Sequence, residues 1–455
     1  MSNKWFRIEH NFKSPWMIEW SPIPPRDSLK GRGFDLWSGF AFNIGRTHKA
    51  LIYRDHGKEK QESATNGMFK FDFDSHGRVV MVSYTGDRWG EISFDNYKPE
   101  MHRLLSGTWI EGRWEHSTNE TGLNYHPTIM KEGDKIYDVS MGILDELVYI
   151  LEKDQVKALD IAGRDHADLL EAIPPVKNHE GLLKESARLH SIIGGQIPVM
   201  PPQLALYHYH AIPVRVQNGC GGGCTYCDFY QNRKIEILPL EKVLKQIDQT
   251  AEYLGEEVDH FEQVVLIDGD ALTVPTEQLA EEIRYARNKF GFRPDETAPR
   301  PWNFAQAFAR YKSILAKSEE ELAHLREQGL HYLNMGLETG CKELVQVVKP
   351  GQELDGFREA VRRLVNVDIK VSINIIVGLG GKKFADRHVN ETAGFLQTLP
   401  PEITVFYAYL ERKATSRYAQ QENLLAPLET GELIKQAEVF RRLIPKAYKY
   451  LFIPM

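Results

Sequence analysis

The stretch IPVRVQNGCGGGCTYCDFY, Ile212 to Tyr230, decides the fold: a short apolar run, then three of the chain's four cysteines within eight residues, spaced by glycine. The apolar run reads as a strand. Cys220, Cys224 and Cys227 therefore sit on the loop leaving its C-terminal end. Outward from it the chain alternates. The runs QVVLID, WNFAQAF, YLNMGL, IKVSINIIV and ITVFYAY are separated by helix-period stretches such as EKVLKQIDQTAEYL and DGFREAVRRLVNV. SEEELAHLREQG carries Ser318 three residues before Glu321, a capping box, and closes at Gly329. Six strand and helix units predict a parallel sheet covered by helices, a partial (β/α)6 barrel of TIM type, with chemistry at the C-terminal strand ends.

The region before the barrel reads differently. Over residues 1–145, short alternating runs such as GRVVMVSY and GTWIEGRWEH, bounded by turn residues, predict a β-rich domain. GILDELVYILEKDQVKALD and the Pro/Gly-containing IIGGQIPVMPPQ then read as a helical connector and linker over 146–200. The boundary falls near Ile193, and the barrel domain occupies 201–455. Trp16, Trp20, Trp37, Trp109, Trp114, His116 and His126 would serve a substrate or partner surface or, more simply, an aromatic core.

Composition excludes several classes. The chain has 455 residues, 42% hydrophobic and 26% charged, with no apolar run approaching a membrane span. The net charge of −7 gives no bulk attraction to phosphate backbones, which disfavours nucleic acid as a partner. Four cysteines in so long a chain are no disulfide scaffold, and the first residues lack a secretory signal pattern. A reducing cytoplasm is the expected compartment.

Two chemistries compete for the cysteines. A structural zinc site closes with four ligands, and His208 or His210 would supply the fourth. The gaps of three and two residues fit that pattern poorly. They suit a loop wrapped around a [4Fe–4S] cubane that ligates three irons and leaves one open. Glycines at 221, 222 and 223 let such a loop curl and leave amides for cluster sulfides.

C-x3-C-x2-C with an aromatic, Tyr226, before the last cysteine resembles the signature of the radical S-adenosylmethionine (radical SAM) enzymes. The branch it resembles contains anaerobic coproporphyrinogen oxidase and the Elongator-type and methylthiotransferase-type catalytic domains. VVLIDGDALTVP resembles that branch's second-strand glycine motif, YLNMGLETG its fourth-strand motif and INIIVGLGG its fifth-strand glycine motif. The likeness covers about Tyr207 to Arg417. It implies that the open iron chelates the methionine moiety of S-adenosylmethionine and that reductive cleavage releases a 5′-deoxyadenosyl radical. It also implies roles for residues. Asp268, Gly269 and Asp270 would contact the methionine ammonium. Arg310 would pair the carboxylate, Glu338 would meet the ribose hydroxyls, and Asn374 and Gly378 would lie against the adenine.

Departures from the family narrow the chemistry. Cys341 stands alone in ETGCKEL, so it cannot assemble a second cluster, and a buried structural thiol is expected there. One cluster is therefore predicted. No D-x-H-x-x-G cobalamin signature is present in the N-terminal region. The expectation is hydrogen abstraction from a small molecule in a biosynthetic pathway, with an external flavodoxin- or ferredoxin-type electron donor. The alternatives are action on a peptide or tRNA, or a non-catalytic iron–sulfur or haem-carrying relative.

Overall fold

The computed structural model of the chain describes residues 6–10, 16–22, 39–46, 68–74, 76–85, 88–89, 92–93, 100–103, 109–116, 123–152, 156–159, 175–196, 211–227, 230, 234–261, 263–291, 304–409, 418, 426–444 and 447–449, several N-terminal strands by backbone alone. They form two compact units, one of residues 1–113 with 128–189, the other of 114–127 with 190–455.

The second unit carries a seven-stranded parallel sheet whose spatial order follows the chain: β1 (Ala211–Arg215), β2 (Gln263–Ile267), β3 (Phe304–Phe308), β4 (Leu330–Glu338), β5 (Lys370–Val377), β6 (Thr404–Tyr409) and β7 (Ala447–Lys449). Six of these are the expected strands. The seventh is only three residues long, too short for its apolar pattern to register in the sequence. Every residue of β1 and β2 is buried, as a parallel sheet covered on both faces requires.

Helices return the chain between strands: α1 (Leu240–Leu254), α2 (Thr276–Lys289), α3 (Tyr311–Leu315), α4 (Glu319–Gln328), α5 (Lys342–Val348), α6 (Leu354–Asn366), α7 (Gly381–Leu396) and α8 (Thr430–Leu443). In α6, Phe357, Ala360, Val361 and Leu364 are buried at helical spacing, so one stripe faces the sheet. The capping box of α4 forms as its spacing predicts. Glu321 N donates to Ser318 Oγ at 3.2 Å and Ser318 N donates to Glu321 Oε2 at 2.8 Å. Gly329 closes the helix at φ 117°.

The first unit contains most of a nine-stranded sheet, largely an antiparallel meander, running in sequence from Phe6–His10 to Val156–Leu159. In the strand Met68–Asp74, Phe69, Phe71 and Phe73 alternate onto one buried face. Met141, Leu144 and Leu147 of the helix Lys135–Leu151 pack in the same core. A boundary at residue 145 would cut through this helix. The helix buries its apolar face in this core, and the strand Val156–Leu159 pairs with Phe6–His10. Trp109 is core, edge-on to Tyr137 at 6.4 Å. Side-chain placement for Trp16, Trp20, Trp114, His116 and His126, and all of Trp37, lies outside the described residues. Among the described residues no helix is long and apolar enough to cross a membrane.

Candidate functional site

Beyond β1, Gln217 and Asn218 pair with Ile237 and Glu236, and the chain turns into the cysteine loop. Gly219 and Gly223 take φ of 81° and 63°, a backbone that other residues adopt at a cost. Gly222 serves differently: a Cβ there would lie 3.3 Å from Cys224 Sγ and 3.4 Å from Cys220 Sγ. A side chain there would be in tight contact with both sulfurs. The loop is pinned from outside by Thr225 N donating to Val348 O at 2.9 Å and Tyr418 N donating to Thr225 O at 3.0 Å. None of the three cysteines is in a disulfide, and all are half-buried. Burial pushes the Cys220 thiol up to about 11.

The loop forms one wall of a cavity of about 990 Å³, counting its open mouth, at the C-terminal end of the sheet. The sheet brings Cys220, Cys224, Cys227, Tyr226, Gly269, Arg310, Glu338 and Asn374 together as lining. Asp268, Asp270 and Gly378 are not among the lining residues. The carboxylate of Asp268 accepts from Arg215 Nη1 at 2.5 Å and from Tyr230 OH at 3.2 Å. That of Asp270 accepts from Arg310 Nε at 2.6 Å, Arg310 N at 3.1 Å and Ser313 Oγ at 2.5 Å. Both groups are thus engaged by protein donors, and of this trio only Gly269 faces the cavity. Gly378, at φ 85°, makes room for α8: a Cβ would meet Leu433 Cδ2 at 2.4 Å, and its N–H donates to Gln436 Oε1 at 2.6 Å. The close approach at Gly378 is therefore one to the helix α8.

Glu338 ends β4 with φ 64°, beyond a register shift against β5 between Gly336 and Glu338. Such an irregularity re-aims a side chain. Gly336 leaves the space that the carboxylate fills, since a Cβ there would lie 2.1 Å from Glu338 Oε1. Lys349 Nζ donates to the Gly336 carbonyl and lies 3.8 Å from Glu338 Oε1. Burial pushes the Glu338 carboxyl up, opposed by Lys349 and by a hydrogen bond from the Tyr226 phenol. Burial, with the nearby Cys224 and Glu338 charges, holds that phenol well above its ordinary range.

Asn374 lies on β5 opposite Gly336, and its buried Oδ1 has no hydrogen-bond partner among the described residues. Cys341 is fully buried at the start of α5, packed with Leu344, Val348 and Tyr226. Burial pushes its thiol up. Tyr230, Phe308, Tyr311, Lys349 and Gln352 line the cavity without having been singled out in the sequence. Only Tyr230, beside the cysteines, carried a local signal.

The donor set fits an iron–sulfur cluster: three thiols outside any disulfide, on one glycine-rich loop that lines one cavity. Among the described residues, no three His, Cys, Asp or Glu side chains close on a single-ion site. His208 and His210 lie outside the described residues.

Residues 214–396 match the family model described as the radical SAM superfamily. Solved structures share 13–17% identity with the chain. HydG, a maturase of the [FeFe]-hydrogenase, has 17% identity over 60% of this chain and 56% of its own, with a TM-score of 0.36. Methylornithine synthase (PylB) has 16% identity over 57% of this chain and 73% of its own, with a TM-score of 0.38. Coproporphyrinogen III oxidase (HemN) from Escherichia coli has 16% identity over 51% of this chain and 52% of its own, with a TM-score of 0.36. The aligned part thus spans little more than half the length of HydG and of HemN. No curated protein matches the sequence. The likeness to the radical SAM superfamily is thus carried by one domain of the chain, residues 214–396.

Proposed function

We propose that the protein holds one [4Fe–4S] cluster on Cys220, Cys224 and Cys227, binds S-adenosylmethionine at its open iron, and abstracts hydrogen from a small-molecule substrate. The observation that carries this reading is that the three cysteines, Glu338 and Asn374 line one cavity. When bound and reduced, the cluster supplies the electron that cleaves the cofactor's sulfonium bond. The chain's own work is binding, orientation and exclusion of water. Tyr226 fixes the Glu338 carboxylate, which is then set to accept from ribose hydroxyls. Asn374 lines the wall on the adenine side. Gly269 contributes bare backbone against Cys220.

The cavity supports a small substrate. Phe308, Phe357, Phe406 and Ile375 make much of the wall apolar, which shields a reactive intermediate from water. An external flavodoxin- or ferredoxin-type donor would reduce the cluster, in the cytoplasm. The test is anaerobic reconstitution, reduction and chromatographic assay of 5′-deoxyadenosine. A loaded, reduced protein that forms none would overturn the enzyme mechanism proposed here.

A further inference from the structure

The three residues after β2, Asp268-Gly269-Asp270, present two buried carboxylates flanking one bare glycine. Each carboxylate is paired with an arginine from a neighbouring strand end. Asp268 holds Arg215, the last residue of β1, at 2.5 Å, and Asp270 holds Arg310, just past β3, at 2.6 Å. Buried charges are costly unless fully paired, and these are. Arg215 spends its other donors on Ile193 O at 3.1 Å and Gln196 O at 2.5 Å.

The second contact of each pair is the telling one. Arg310 Nη1 donates to Gly221 O at 2.9 Å, the residue directly after Cys220. Asp268 Oδ1 accepts from the phenol of Tyr230, three residues after Cys227. One arm therefore grips the cysteine loop near its beginning and the other just past its end. Between them a Cβ on Gly269 would lie 2.7 Å from Cys220 Cβ and 3.2 Å from the Tyr230 ring. Asp268 itself is held at φ 78°, a backbone that persists for a non-glycine residue only where its surroundings over-determine it.

We infer that Asp268 and Asp270, through Arg215, Tyr230 and Arg310, are positioning residues that brace the cysteine loop, rather than contacts to the methionine group of the cofactor. This rests on the cluster reading of the triad. The loop, so held, presents three sulfurs at fixed spacing. Loosening either arm exposes the cluster to loss and alters its potential.

The test uses the anaerobically reconstituted full chain and three readouts: iron release to a chelator, the midpoint potential of the cluster, and equilibrium affinity for S-adenosylmethionine. D270N should release iron roughly tenfold faster, with a potential displaced upward as an anion is removed, while cofactor affinity changes by less than about threefold, and R310K, read by iron release alone, should match that acceleration. The double variant should be no worse than the poorer single, since both cut the same arm. Should D270N fail to fold by circular dichroism, Y230F and S313A each remove one hydrogen bond at constant shape and should speed iron release by about threefold. Wild-type iron release and potential in every variant overturn the brace, as does a tenfold loss of cofactor affinity at unchanged iron release. A wild-type protein that takes up no iron overturns the cluster reading and the brace with it. A loaded wild type with unresponsive variants overturns the brace alone.

Discussion

The phenol of Tyr226 donates a hydrogen bond to the carboxylate of Glu338, joining the cysteine loop to the end of β4. The two residues are far apart in sequence and meet because β4 ends in a left-handed residue beyond its register shift. Lys349 completes the group from the far end of α5. Burial pushes the carboxyl up, and one hydrogen bond and one cation oppose that shift.

Glu338→Ala should leave about four irons per chain while weakening S-adenosylmethionine binding by roughly 1–3 kcal/mol, the range for a hydrogen bond to a charged group. Tyr226→Phe should act through Glu338. Without the phenol the carboxyl is pushed further up, so cofactor affinity should begin to fall at a higher pH than in wild type as pH is lowered. Binding titrations across pH check both, and identical profiles would separate the two residues.

Replacing Cys220, Cys224 or Cys227 with Ala should abolish the brown absorbance and 5′-deoxyadenosine formation, because each thiolate holds a different iron. Cys341→Ala should retain about four irons and four sulfides, since that thiol lies in the apolar core and not on the cavity wall. An iron count near eight in wild type would reinstate a second cluster.

Gly269→Ala should fold with a native circular dichroism spectrum but load iron poorly. Its new methyl would meet Cys220 Cβ and Sγ at 2.7 and 2.8 Å and force the first cysteine out of register. Full iron loading of this variant would show that the loop yields more easily than its bracing implies.

Gly378→Ala makes the opposite prediction. Its cost falls on folding, about 1–3 kcal/mol for a non-glycine residue at φ 85° with Leu433 in the way. The surviving folded protein should bind S-adenosylmethionine normally. Denaturant unfolding and a binding titration on the same sample distinguish a packing glycine from a ligand-facing one.

Glu282, fully buried on α2, has one carboxylate oxygen without a partner among the described residues, and Gln278 serves the other at 2.8 Å. Burial pushes its carboxyl up from 4.5 to about 7. Because the folded form keeps the proton that the unfolded chain loses, stability should be highest below pH 4.5, as far as this group is concerned. It should decline as pH rises to about 7, by roughly 3 kcal/mol in all. Glu282→Gln should flatten that segment of the stability profile and raise stability at pH 8.

Sequence alone determined the strand and helix alternation, the capped α4, and the three cysteines at a strand's C-terminal end, because these depend on local periodicity and spacing. The family resemblance also singled out Glu338, at the end of the fourth strand, and Asn374, on the fifth, and both line one cavity. What the sequence did not contain was the partner of each charged group. Asp268, Asp270 and Arg310 look like ligand contacts when read along the chain. Only the juxtaposition of β1, β2 and β3 shows their charges engaged by each other, by Arg215 and by the cysteine loop. Gly378 likewise owes its identity to Leu433, and Lys349 reaches the cavity only because α5 returns it to Gly336. Such pairings join residues tens of positions apart, and the packing of the sheet ends and helices, not any local pattern, decides them.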